Sequence, residues 1–313
     1  MPSAIGRACI SASVFLAVLG SGHPASAAGE RVSVLTPYLS AVATAEMVEA
    51  FKREAEKRQW SVDVVDTAGD FGALASRIED VTAAKADAIV LVSFDPAQVQ
   101  DQADRAAAAG IPVVAIDGAK NAALALNVTS DNYVLGETMT KHLFAAIGSS
   151  GKIVRLFHSA HPGVRQREIA LDDALKATPA VTEVASHYVQ VPGQIEDSRA
   201  AVDSILLAHP GDEAIDAIWA AWDEPGIGAQ LALEAAGREG IVVAGIDGNP
   251  QAVELIKACT PFIATVRQGF GEMARIAAEQ LEKTLTGGKP EAAELYAPVE
   301  LITRESLGVS CPG

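Results

Sequence analysis

The sequence predicts an α/β fold of two similar lobes, each built on a parallel sheet. Three observations predict it. Short apolar, β-branched runs alternate with helix-like stretches along nearly the whole chain; the runs themselves lack polar alternation; and one strand ending occurs twice. IPVVAIDGAK (Ile111–Lys120) ends its apolar run on Asp-Gly, and IVVAGIDGNP (Ile241–Pro250) does the same. Runs without alternation suit strands covered on both faces. Strands alternating with helices of ten to fifteen residues build βαβ units and a parallel sheet.

The chain opens with Arg7, an apolar stretch Ala8–Leu19 and the small-residue pattern Ala25-Ser26-Ala27, which together read as a signal peptide over residues 1–27. Its apolar core is shorter than the roughly 20 residues a bilayer requires. Cys9 precedes that core rather than following it, so no lipid anchor is expected. The mature protein is therefore expected in the periplasm, starting near Ala28. RVSVLT (Arg31–Thr36) is the first strand, followed by a helix up to Trp60. SVDVVD precedes helical FGALASRIEDVTAAK, and DAIVLVS precedes PAQVQDQADRAAAAG, which Gly110 stops. PVVAID and LALNVTSDN complete the first cycle. The second contains GKIVRLF, VTEVASHYV, EAIDAIWA, IVVAGID and PFIATV, separated by helices at 133–147, 164–177, 195–208, 226–236 and 252–258. Gly269–Leu285 adds a helix and LYAPVELIT one returning strand.

The chain carries 24 Lys and Arg against 40 Asp and Glu. That acidic balance excludes nucleic acid and anionic membrane surfaces as partners, because phosphate binding needs clustered positive charge. No second apolar run is long enough to span a membrane. Once the signal is removed, Cys259 and Cys311 remain; an oxidising compartment permits a disulfide between them, with two free thiols as the alternative.

Ligands of open parallel sheets sit beyond the carboxyl ends of the strands. Asp117 and Asp247 both stand there, each followed by a glycine that eases the turn. One such acid alone could merely cap the next helix; two at matched places point to one shared cleft. HSAH spaces His158 and His161 by three, which reads as exposed loop histidines rather than a metal site. GxSxG, P-loop and HExxH patterns are lacking, and GIG at 226–228 lacks the strand context of a dinucleotide site, so no cofactor is expected.

AIDG, TSDNYVLGE, GVRQRE, LLAHPGDEAIDAIWAAWDEPGIGA, VVAGIDGNP and ATVRQ, in this order, resemble the periplasmic monosaccharide-binding proteins of ABC importers, typified by ribose-binding protein, over essentially the whole mature chain. The resemblance implies two Rossmann-like lobes, 28–130 with 269–300 and 131–268 with 301–313. It implies three hinge crossovers, near Thr129–Asn132, Gln268–Gly269 and Glu300–Leu301, and a sugar held between the lobes. Asp117 and Asp247 would accept from sugar hydroxyls, Arg165 would donate to the ring oxygen and its neighbours, and Gln268 would add a polar contact at a hinge. The chain departs from the family pattern at Gly118, where Arg is frequent, and at Trp222, where Asn is common. Tyr38 is the aromatic left before the first helix, and VPGQIED lacks another. Trp222 either stacks on a sugar ring or packs between helix and sheet, and Phe94 either reaches the cleft or joins the core. The implied protein is a monomeric receptor for a sugar or sugar-like ligand, with deoxy sugars, methylated sugars and polyols all fitting, and its partner is an ABC permease. Other readings keep the fold and change the client, to a signalling sugar, an amino acid or a chemoreceptor. A ligand-responsive repressor would need a helix-turn-helix before the first strand, and a secreted hydrolase would use the two acids in turnover.

Overall fold

The computed structural model describes residues 29–211 and 214–311, together with Met1, so the expected signal peptide lies outside the described residues. Strands β1 (Arg31–Thr36), β2 (Ser61–Asp66), β3 (Ala88–Val92), β4 (Val113–Ile116) and β5 (Leu126–Thr129) alternate with helices α1 (Val42–Lys57), α2 (Phe71–Ala83) and α3 (Gln100–Ala108). The chain then runs through α4 (Asn132–Ala146), β6 (Gly151–Phe157), α5 (Pro162–Ala177), β7 (Val181–Tyr188) and α6 (Gln194–Ala208). β8 (Ala217–Ala220), α7 (Asp223–Ala236), β9 (Val242–Asp247), α8 (Pro250–Lys257) and β10 (Phe262–Gln268) complete that lobe's main run. α9 (Phe270–Leu285) and β11 (Glu294–Tyr296) return to the first lobe, and β12 (Val299–Thr303) ends in the second.

The first sheet has strand order β11-β5-β4-β3-β1-β2 and the second β12-β10-β9-β8-β6-β7. Every pairing is parallel except β10 with β12, an antiparallel edge the sequence reading did not foresee. β3 and β4 are buried at every position, as their unbroken apolar runs require, whereas edge strand β2 is only half-covered. Phe51 and Met47 of α1 meet Phe270 and Met273 of α9 on one face of the first sheet. Leu35, Leu74, Ile78 and Phe94 fill the other. Burying a side chain such as Phe51 contributes about 1.5–3 kcal/mol.

The chain crosses between the sheets three times: at Ser130–Asp131, at Gly269 and at Ala297–Pro298. The third crossing falls before the expected Glu300–Leu301, because LYAPVELIT is two strands, not one. Pro298 lacks a backbone N–H and ends the first pairing, so Val299 and Glu300 belong to the second sheet, opposite Gln268 and Arg267. The structure joins Cys259, just past α8, to Cys311, with their Cα atoms 5.7 Å apart. That bond ties the C-terminal tail to the second lobe.

Candidate ligand-binding site

Three strand ends converge on one cavity between the lobes. Ser93 follows β3, Asp117 follows β4, and Asp247 ends β9; their φ angles are +65°, +54° and +133°. Positive φ is uncommon for residues other than glycine and has to be held by the surroundings. At Asp117 the hold is visible, since its backbone N–H donates to Val128 O at 2.7 Å. The turn aims the side chain off the strand axis and into the cavity. The cavity has about 510 Å³ of atom-free space counting its mouth, and all three residues line it.

One continuous polar network joins the two acids through the first crossing. Thr129 Oγ1 donates to Asp117 Oδ1 at 3.2 Å, and Asn132 Nδ2 donates to Thr129 Oγ1 at 3.2 Å. Arg167 Nε donates to Asn132 Oδ1 at 2.8 Å, its Nη1 donates to Ala221 O at 2.7 Å, and the same Nη1 lies 3.7 Å from Asp247 Oδ1. Gln268 Nε2 donates to Asp247 Oδ1 at 2.8 Å. Gly136 of α4 makes the arrangement possible: a Cβ there would stand 2.6 Å from the Arg167 Cα, so only glycine lets α4 and α5 approach this closely.

The surroundings push the two acids in opposite directions. Burial raises the Asp117 carboxyl, but His161 beside it, the Arg167 guanidinium and the Thr129 bond outweigh burial and hold it below the usual range. Asp247 is pushed up by burial and by the carboxyls of Asp223 and Glu224, against the pull of Arg167 and Gln268. Asp223 is fully buried behind the cavity, accepts from Thr265 Oγ1 and Asn249 N–H, and is raised to about 7 chiefly by burial. Each of Asp223 and Asp247 thus disfavours ionisation of the other.

Of the residues singled out in the sequence, Asp117, Asp247, Tyr38 and Trp222 line the cavity. Tyr38 meets His158 edge-on with ring centroids 6.0 Å apart, and burial and Tyr188 push its phenol up to about 12. Gln268 does not line the cavity; it holds Asp247 in place. Phe94 packs in the core, edge-on to Phe71 at 6.0 Å. Arg165 requires a correction. Its guanidinium leaves the cavity and reaches Asp95 across the rim at 2.5 Å and Ser159 O at 2.8 Å, with 41% of its side chain exposed. The second arginine of GVRQRE, Arg167, occupies the cavity wall instead.

Residues 32–289 match the periplasmic binding protein domain family. This chain belongs to that family. The ribose import binding protein of Bacillus subtilis is 28% identical over 262 residues, covering 82% of this chain and 82% of its own. The xylitol-binding protein of Mycolicibacterium smegmatis is 26% identical, covering 77% of this chain and 68% of that one. A crystal structure of an ABC transporter solute-binding protein from Agrobacterium vitis with bound allitol is similar at 29% identity and TM-score 0.85, covering 90% of this chain and 97% of that chain.

In this periplasmic binding protein, Arg167 could have been found by helical spacing. Val164, Arg167 and Leu171 are buried on one face of α5, at the three- and four-residue intervals of a helix stripe, while Arg165 falls between turns of that stripe. The histidines overturn a second expectation: His158 and His161 are 8% and 9% exposed and line the cavity, not a surface loop. Their position follows from β6 ending at Phe157 and from His161 capping α5, which turns the four-residue link inward. Glu224 was missed as well. Ala41 offers α1 no capping side chain, and Glu224 of the other lobe accepts from Val42 N–H at 3.1 Å while also accepting from Gln194 Nε2 at 2.8 Å. Nothing local in the sequence signals a cap supplied across a cleft. Among the described residues, no group of acids, histidines and cysteines could hold a metal ion, and no helix is long and apolar enough to cross a membrane.

Proposed function

We propose that this protein is the periplasmic receptor of an ATP-driven importer, capturing a small neutral sugar or polyol between its lobes and delivering it to a membrane permease. One observation carries the reading: a cavity between two lobes receives one acidic side chain from each, Asp117 and Asp247, with a buried guanidinium, Arg167, beside them. Carboxylates accept from hydroxyls, and a guanidinium donates to hydroxyl and ring oxygens in fixed directions. Tyr38 and Trp222 supply apolar ring faces against the C–H face of a sugar or polyol. The named relatives are receptors of that ligand class, which supports a neutral, hydroxyl-rich client here. Ligand capture stabilises the closed form over the open one, and the permease would recognise the closed form. The receptor acts as a monomer, and turnover is no part of its work.

A thermal-shift screen of monosaccharides and polyols, including D-ribose, D-allose, xylitol and allitol, tests the proposal. A true client raises the unfolding midpoint in proportion to the logarithm of its concentration over Kd. A folded protein whose midpoint no member moves contradicts it.

A further inference from the structure

The hydrogen bonds of the two cavity histidines call for opposite tautomers when the rings are neutral. His158 Nδ1 lies 2.9 Å from Val189 O. A carbonyl only accepts, so that nitrogen carries the hydrogen, and Nε2 of the neutral ring is left as an acceptor. His161 is the reverse. Its Nδ1 accepts from Gly163 N–H at 3.2 Å as the N-terminal cap of α5, so Nε2 of the neutral ring carries the hydrogen and donates. Both Nε2 atoms are buried and bond to nothing in the protein. His161 Nε2 stands 3.4 Å from Asp117 Oδ2, long for a hydrogen bond. A buried polar atom without a partner costs about 1–3 kcal/mol; His158 Nε2 is one, His161 Nε2 has only the distant Asp117 oxygen, and both rings border the same cavity. Burial also pushes the His158 imidazole down, which favours its neutral form.

We infer that His158 and His161 are specificity-determining ligand contacts, presenting one acceptor and one donor to a hydroxylated corner of the client. The inference rests on the proposed sugar or polyol function and names how that site selects. A hydroxyl both donates and accepts, so hydroxyls satisfy both rings. An ammonium placed there would satisfy His158 and leave the His161 N–H unmet; a carboxylate would do the opposite. An ether or deoxy position would leave the His158 lone pair unmet. The corner therefore selects free hydroxyls over the aminated, acidic, deoxygenated or methylated versions of the same position. Tyr38, Tyr188 and Trp222 pack around His158 at ring distances of 6.0, 4.9 and 6.2 Å, and the Nδ1 contact with Val189 O sets which ring nitrogen faces away from that carbonyl.

The test is isothermal titration of the wild-type chain, His158→Phe and His161→Asn with D-ribose, D-allose, xylitol, allitol, D-glucosamine, D-ribonate and a mixture of amino acids. His158→Phe keeps ring volume without nitrogen, and His161→Asn keeps a capping oxygen for Gly163 N–H while losing the donor. The expected result is that a neutral member binds the wild type and that each variant weakens it about tenfold or more. Unchanged affinity in both variants overturns the inference while the sugar function stands. Binding of none of the neutral members, or preference for the amine, the acid or the amino acids, overturns both. Should either variant fail to fold, long-range ¹⁵N spectra of the wild-type histidines decide. Two opposite tautomers, with both Nε2 signals moving when the panel's tightest member is added, support it; a single tautomer, or Nε2 signals that stay still, refutes it.

Discussion

Replacing Arg167 by Met removes a guanidinium whose Nε and Nη1 bond Asn132 Oδ1 and Ala221 O and whose Nη1 stands 3.7 Å from Asp247. Met fills much the same volume, so packing is largely kept. Two acceptors then lose their donor and Asp247 loses its cationic neighbour, while keeping the Gln268 bond, in a site only 2% exposed at Arg167. Breaking a buried ion pair by removing one partner costs about 3–5 kcal/mol. That cost falls on the fold; a client held by the buried guanidinium also loses a charged hydrogen bond, roughly 3 kcal/mol of binding. At about 1.4 kcal/mol for each factor of ten, the affinity for a neutral client falls on the order of 100-fold. Arg165→Met removes a half-exposed pair with Asp95 and contacts to two loop carbonyls, which is worth about 1 kcal/mol or less, roughly fivefold in affinity. Titration calorimetry on both variants, with circular dichroism confirming the fold, reads the contrast. If Arg165→Met weakens binding as much as Arg167→Met, the assignment of the cavity arginine is wrong.

Three further outcomes are expected. Glu224→Gln weakens the cap that the second lobe places on α1, by about 1 kcal/mol, and so shifts the ligand-free protein toward open forms. Small-angle scattering should show a larger radius of gyration than wild type before ligand and the same radius at saturation; equal radii before ligand would count against the interlobe cap. For Asp223, the folded pKa of about 7 lies above its unfolded value; its contribution to stability is therefore full below the unfolded value near 3.9 and is lost as pH rises toward 7. Asp223→Asn should flatten that loss in chemical denaturation measured between pH 4 and 7, whereas a slope unchanged by the substitution contradicts the protonated state. Cys259 and Cys311 close a loop spanning 52 positions, so replacing both with Ser should cost about 2–4 kcal/mol by the chain-entropy argument, read as a lower urea midpoint; an unchanged midpoint says the tail contributes nothing.

The layered architecture was legible because its signals are local. Unbroken runs such as AIVLV and VVAI can be buried only inside a covered sheet, and the first sheet holds both where the pattern put them. The two Asp-Gly endings were legible for the same reason, since a strand end fixes where its last side chain points. What stayed hidden depends on distance between lobes or on which way a helix is rotated. GVRQRE contains two arginines two residues apart, and only the rotation of α5 separates a cavity group from a rim group. The stripe Val164, Arg167, Leu171 carried that rotation, but an arginine on an apolar stripe is easily passed over in favour of the exposed one. HSAH looked like loop because it follows a strand and is polar; His158 is covered by Tyr188 and Trp222 of its own lobe and by Tyr38 of the opposite one. Ala297-Pro298 was misplaced because an apolar run crossing from one sheet to another has no compositional break larger than one proline.

The most direct measurement is a crystal structure of the protein with its tightest-binding sugar or polyol. The account predicts one molecule in the cavity, with an Asp117 oxygen and an Asp247 oxygen each about 2.5–3.0 Å from its hydroxyls. A ligand bound to a single lobe, or seated outside that cavity with both carboxylates turned from it, would contradict the account.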